Sequence, residues 1–222
     1  MASVGGRDSL VVFARYPSPG KVKTRLAAGI GEDRAARLYD GFVRDLAGRF
    51  AAAGPELSWG VAPPDPGFAE HFGVPPETCF VQEGDDLGAR MLSALEGALC
   101  EEGSRCVLIG SDVPHLPAER VAQAFFELES ADMVLGPALD GGYYLIGMGQ
   151  PHDVFSGMTW SVDSVRAETQ ARAAARGLSV ALLDEEFDVD EIEDLDRLRA
   201  RLAAGGPPCP ATTRILAELA RP

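Results

Sequence analysis

Short apolar, β-favouring runs alternate with helical patterns along almost the whole chain, and this alternation restricts it to a βαβ architecture. Segments 9–14 (SLVVFA), 57–62 (LSWGVA), 78–82 (TCFVQ), Arg105–Gly110 (RCVLIG) and 131–136 (ADMVLG) read as strands. Several are apolar at consecutive positions, the pattern of strands covered on both faces. Segments 142–148 (GYYLIGM) and 179–183 (SVALL) are two further strands.

Helices fill the intervals. Residues 32–52 follow Gly31 and carry Glu32 and Asp33 in the first turn, where carboxylates oppose the helix dipole favourably. Leu87, Met91, Leu95 and Leu99 recur every four residues as one apolar stripe. Val121, Phe125 and Leu128 repeat the pattern after Pro117, a good first-turn residue. Ser161 is placed to cap a helix running to Arg176, closed by Gly177. Leu195, Leu198 and Leu202 mark a late helix, and a Pro/Gly break at 205–210 leaves a short helix over 212–220. The expected fold is one α/β, Rossmann-like domain over residues 1–222, a mostly parallel sheet with helices on both faces.

The net charge of −14 argues against nucleic-acid or anionic-membrane partners, whose binding requires a basic face. A local basic pocket for one phosphorylated ligand is compatible with it. Cys79, Cys100, Cys106 and Cys209 form no C-x-x-C pair, and His71, His115 and His152 are scattered, so no zinc site is visible. The start of the chain lacks a signal-peptide core, and no segment approaches 18 uninterrupted apolar residues. A reducing, cytoplasmic setting is the expectation.

The first strand runs into Ala14-Arg15-Tyr16-Pro17-Ser18-Pro19-Gly20-Lys21-Val22-Lys23-Thr24-Arg25. Ligands of open α/β sheets bind beyond the carboxyl ends of strands, and this loop lies there. Its four cations, Arg15, Lys21, Lys23 and Arg25, suit diphosphate oxygens. It is neither a Walker A loop nor a G-x-G-x-x-G turn. The plain alternative is a basic surface loop stiffened by prolines.

Asp112 ends the apolar strand that leads into Ser111-Asp112-Val113-Pro114, where a carboxylate can hold Mg2+ or Mn2+. It also suits a turn before proline. In Phe187-Asp188-Val189-Asp190 the two acids share one side of an extended segment, and either can complete a metal site. Asp140-Gly141-Gly142 joins two strands, permitting close backbone approach to a ligand, although Asp-Gly also makes an ordinary hairpin turn. Gln82 opens a polar loop able to read a base or sugar.

Six segments in order resemble the GT-A-type nucleotide-diphospho-sugar transferase superfamily: 13–26, 82–91, 109–116, 136–148, Trp160-Ser161 and 187–198. The nearer likeness is to a bacterial subfamily of glycosyltransferase-like proteins related to 2-phospho-lactate guanylyltransferases. The resemblance implies metal ligation by Asp112 and Asp190, although Glu191-Ile192 stands where Thr-Pro is usual in the late motif. It implies nucleotide contacts from Ala14, Arg15, Gly20, Lys21, Lys23, Arg25, Gln82 and Ser111. Acceptor or sugar contacts would come from Asp140, Gly141, Gly142 and Trp160, with Asp112, Asp140 and Lys21 serving catalysis.

Three functions compete. The first is a metal-dependent glycosyltransferase with a nucleotide-sugar donor and a small-molecule acceptor. The second is a nucleotidyltransferase that joins a nucleoside triphosphate to a phosphorylated small molecule and releases pyrophosphate. The third is a non-catalytic nucleotide-binding protein. The base, sugar, acceptor and oligomeric state are not encoded in any one segment.

Overall fold

The computed structural model describes residues 6–219. Along the chain these form β1 (Asp8–Ala14), α1 (Thr24–Ile30), α2 (Glu32–Phe50), β2 (Glu56–Val61), α3 (Phe68–Phe72) and β3 (Cys79–Val81). There follow α4 (Leu87–Ala98), β4 (Arg105–Gly110), α5 (Ala118–Glu127), β5 (Met133–Pro137) and β6 (Tyr143–Met148). The last elements are α6 (Val165–Ala175), β7 (Val180–Leu182), α7 (Ile192–Ala203) and α8 (Pro210–Leu219).

The strands make one seven-stranded sheet in the order β3-β2-β1-β4-β6-β5-β7. Pairing is parallel between β1 and both β2 and β4, between β2 and β3, and between β5 and β7. Only β6 runs against its neighbours, β4 and β5. The cause is local: the turn after Pro137 is too short for a parallel crossover, so the chain must reverse at once. Its consequence is functional, because reversal brings Tyr143 and Tyr144 to the edge where β1 and β4 end. Ile109 pairs with Leu145, and Phe13 with Gly110.

Alternate side chains of β1 enter two different cores. Leu10 and Val12 pack with Leu38, Phe42 and Leu46 of α2, and α5, α7 and α8 cover the same face. Val11 and Phe13 pack on the other side with Met91 and Leu95 of α4. Helices on both faces of a mostly parallel sheet are what the continuous apolar strands imply. Truncating a fully buried residue such as Phe42 to Ala is expected to cost about 3–5 kcal/mol.

All seven expected strands are present, Arg105–Gly110 with its bounds unchanged and the others with ends moved by at most two residues. The helix start at Ser161 is a correction. α6 begins at Val165, and Ser161 instead adopts a left-handed backbone, φ 62°. The 138–142 turn occupies the space beside residues 161–164. A Cβ on Gly141 would lie 2.1 Å from the Asp163 carbonyl oxygen, and Arg166 N–H donates to Gly141 O at 3.0 Å. That contact accompanies a run of bends and turns over 161–164, after which α6 starts.

α1 and α3 carry no legible stripe: each is short, and Leu26 is the one buried residue of α1. α8 starts earlier than its sequence suggests because the Asp45 carboxylate of α2 accepts from Ala211 N–H at 2.9 Å and Thr212 N–H at 2.8 Å. This is a cap supplied from another helix. The expected final residue of α8, Ala220, lies outside the described residues.

Candidate nucleotide site and its acidic centre

A cleft of about 680 Å3 opens at the carboxyl ends of β1 and β4. The β1–α1 loop forms one wall. Arg15 N–H donates to the Tyr39 hydroxyl at 3.0 Å, and that hydroxyl lies 2.7 Å from Ser111 Oγ. Tyr39 of α2 thus ties the basic loop to the end of β4. Burial, reinforced by the Asp112 charge, pushes the Tyr39 phenol up to about 12. Lys21 N–H donates to Ser18 O at 3.0 Å, closing a turn around Pro19-Gly20.

The loop ends at Lys23, which has left-handed backbone angles (φ 48°, ψ 46°) and precedes α1. Its side chain is only 3% exposed, so its charge is not dissipated into water. The ammonium lies 2.5 Å from Asp112 Oδ1 and 2.7 Å from Asp190 Oδ1. Burial works to lower the Lys23 pKa, but the two carboxylates outweigh it and the net shift is upward. Arg15, Lys21 and Arg25 also line the cleft. Arg25 meets Glu191 only at 3.9 Å, and Arg15 and Lys21 make no ion pair among the described residues.

Asp188 and Asp190 also line the cleft. Between them Val189 is fully buried, and its N–H donates to Asp112 O at 2.9 Å. This backbone bond joins the two acidic segments. Burial, aided by the charges of Asp112, Asp140 and Asp190, pushes the Asp188 carboxyl up to about 7, with Lys23 opposing.

Ala14, Gln82, Ser111 and Trp160 stand on the cleft wall, as the sequence implies. Gln82 Nε2 donates to Gly60 O at 2.8 Å, which leaves its carbonyl oxygen for a ligand. Gly20, Asp140, Gly141 and Gly142 are not on that wall. Asp140 Oδ1 accepts from Gly142 N–H at 2.9 Å, so the turn reading of Asp-Gly holds structurally. Its charge nevertheless bears on Asp188.

The far end of the cleft is apolar and aromatic, formed by Leu87, Met91, Leu108, Ile146, Tyr143 and Trp160. The Trp160 Nε1 and the Tyr143 hydroxyl are buried there and have no hydrogen-bond partner among the described residues.

Two supports escape a reading of the sequence. Tyr39 has no motif, being one more aromatic residue on a helix. The other is a buried chain behind the acidic wall. His115 is fully buried, stacks on Phe187 at 4.1 Å between centroids, and places Nε2 3.4 Å from Glu186 Oε2. Glu186 Oε1 accepts from Arg201 at 2.8 Å. Burial would raise the Glu186 carboxyl, but His115 and Arg201 hold it below the usual range. The chain braces segment 186–190 against the loop after β4. The one signal for it is His115 inside the SDVPHL segment, and a single apolar-flanked histidine reads first as core.

The carboxylates also permit a test of the expected metal. Among the described residues no three His, Cys, Asp or Glu side chains are arranged as a ready metal cage. Asp112 and Asp190 do converge, and each side chain is still about two-fifths exposed. Mg2+ usually takes one or two carboxylates and completes its shell with phosphate oxygens and water. The hard oxygen pair therefore fits a metal that arrives with a nucleotide.

Residues 61–162 match the model of a family described as "Uncharacterized protein conserved in bacteria (DUF2064)". Curated protein sequences gave no significant match. Among solved structures, the chain is similar to a protein of Desulfovibrio desulfuricans G20, provisionally assigned as a nucleotide-diphospho-sugar transferase. The two share 35% identity with a TM-score of 0.89, over 96% of this chain and 95% of that one. A CMP:2-keto-3-deoxy-manno-octonic acid synthetase in complex with CTP shares the fold at 15% identity and TM-score 0.54, over 90% of this chain and all of that one. So does a 4-diphosphocytidyl-2C-methyl-D-erythritol synthase, at 12% identity and TM-score 0.57 over the same shares. The α/β sheet, the basic loop after β1 and the match along almost the whole D. desulfuricans chain lead to one assignment: this chain belongs to that protein's family, the nucleotide-diphospho-sugar transferase-like proteins of GT-A-like fold.

Proposed function

We propose that the protein is a metal-dependent transferase that takes a nucleotide sugar as donor and passes the sugar to a small-molecule acceptor. The observation that carries this reading is the meeting of Arg15, Lys21 and Arg25 with Asp112 and Asp190 in one cleft at the carboxyl edge of the sheet. The relative's provisional assignment points the same way.

In this reading the donor diphosphate lies along the β1–α1 loop. The bond between the anomeric carbon and the diphosphate oxygen breaks, and the nucleoside diphosphate departs with the electron pair. An acceptor hydroxyl forms the new bond and gives up its proton. Arg15, Lys21 and Arg25 stand where negative charge grows on the leaving group, and the Tyr39 hydrogen bonds fix the loop beforehand. Such preorganised charge stabilises a transition state without further rearrangement. Asp112 and Asp190 would hold Mg2+ or Mn2+, which when bound supplies further neutralisation of the diphosphate. Gln82 and Ser111 contact the nucleotide. Trp160 supports the acceptor or sugar, while Asp140, held in its own turn off the cleft wall, bears on the site only through its charge on Asp188.

Nucleotidyl transfer is the second reading. The same loop cations are compatible with it, since they suit a triphosphate as well as a diphosphate. The leaving group separates the two. The protein is incubated with nucleotide sugars, then with nucleoside triphosphates, each with candidate acceptors and Mg2+, and products are followed by phosphorus NMR. Metal-dependent release of nucleoside diphosphate is expected. Release of pyrophosphate would replace the first reading with the second, and no turnover with any pair would count against both.

A further inference from the structure

Lys23 occupies an unusual position for a phosphate-binding lysine. All four loop cations line the cleft, but Lys23 has its side chain buried and lies between the two carboxylates expected to hold a metal. A non-glycine residue seldom adopts left-handed angles, and here the conformation directs the side chain inward, over the rings of Tyr39 at 6.0 Å and Phe42 at 5.8 Å. One ammonium touching one oxygen from each carboxylate supplies the positive charge that their convergence needs.

We propose that Lys23 is a resident counter-ion that closes the Asp112–Asp190 pair to divalent metal until nucleotide arrives. A metal ion and the ammonium cannot share the same carboxylate oxygens at full strength, because their charges repel at that range. Metal alone must therefore displace Lys23 and deprive its buried charge of both carboxylate partners, over the Tyr39 and Phe42 rings, at an unfavourable cost. Nucleotide removes the penalty, since its phosphates offer the displaced ammonium a new anionic partner beside the same loop. Metal and nucleotide then bind as one unit. Lys23 acts as a positioning residue, coupling occupancy of the acidic centre to occupancy of the phosphate loop.

The inference rests on the proposed metal site, and the test separates the two. Mn2+ binding is followed by electron paramagnetic resonance on the whole protein without nucleotide, using wild type, Lys23→Met and Lys23→Asn. Met keeps the length of the side chain without its charge. Asn tolerates the left-handed backbone, so it serves if the Met variant folds poorly. The expected result is weak Mn2+ binding by wild type and binding at least roughly tenfold tighter in either variant, because the unpaired carboxylates then seek a cation. Adding Asp112→Asn to Lys23→Met should abolish that gain. The variants' melting temperatures should fall without metal and recover with Mn2+, a linkage that a merely structural lysine would not show. Equal or weaker Mn2+ binding by both variants would overturn the proposal. If wild type meanwhile binds Mn2+ together with a nucleotide sugar, the proposed function survives and only the displacement fails.

Discussion

The two ends of the cleft are built on opposite terms. At one end, charge is packed densely and cross-braced: Lys23 spans Asp112 and Asp190, Tyr39 spans the basic loop and Ser111, and the Val189 N–H spans the acidic segments. At the other end, Leu87, Met91, Leu108, Ile146 and Trp160 offer shape and apolar surface, with the buried Trp160 Nε1 and Tyr143 hydroxyl lacking a hydrogen-bond partner among the described residues. The braced end draws on the strand ends of β1 and β4, where any α/β sheet presents its ligand. The apolar end draws on α4, β6 and the segment before α6. The difference separates tasks. Under the proposed function, the braced end would handle the nucleotide and its charge, and the apolar end would select what receives the transferred group.

Substitutions should divide along that line. The largest effect is expected from Asp112→Asn, which should lower kcat by about 10^2–10^3, the scale seen when one transition-state charge stabiliser is lost. Steady-state kinetics at saturating donor checks this, and full activity would remove Asp112 from the chemistry. Arg25→Ala should weaken nucleotide binding by about tenfold, consistent with losing one charge-assisted contact. Calorimetry with the donor checks it, and an unchanged Kd would dissolve the phosphate-loop assignment. Trp160→Ala tests the other end: acceptor KM should rise several-fold while donor Kd stays constant, and a change in donor Kd alone would erase the proposed division of tasks.

The smallest effect concerns the brace behind the acidic wall. His115 and Arg201 hold Glu186 below the usual carboxylate range, so its contribution to stability is present above its unfolded value and is lost as pH falls through the lowered folded value. Thermal melts in acid should show wild type losing this increment below about pH 4.3, the ordinary glutamate value. Glu186→Gln, which cannot titrate, should lose less over the same range. Identical acid profiles would mean that the brace carries no net stability.

Sequence made the braced end legible and the apolar end nearly opaque, for a physical reason. Strand ends in a parallel sheet converge by topology, so Arg15, Ser111 and Asp112 can be placed once β1 and β4 are recognised. Val189 between two acids shows its alternation directly, and burial of Val189 matches it. The apolar end depends on the reversal at β6, which brings Tyr143 across from the end of β4, and on Ser161 adopting φ 62° instead of capping a helix. Neither follows from periodicity. Asp140 shows the reverse hazard, since a conspicuous Asp-Gly-Gly motif proved to be a turn whose carboxylate bonds its own backbone. Lys23 was legible as a cation and illegible as the partner of two aspartates more than eighty residues away.

The central claim is that one cleft binds a nucleotide sugar through a metal held by Asp112 and Asp190. Its most direct test is a thermal-shift titration of wild type and Asp112→Asn with a panel of nucleotide sugars, each with and without Mg2+. The account predicts a shift for at least one donor in wild type only when Mg2+ is present, about 2.7 kcal/mol of stabilisation at 100 times Kd, and its loss in Asp112→Asn. A shift that needs no metal, or that survives the substitution undiminished, would contradict it.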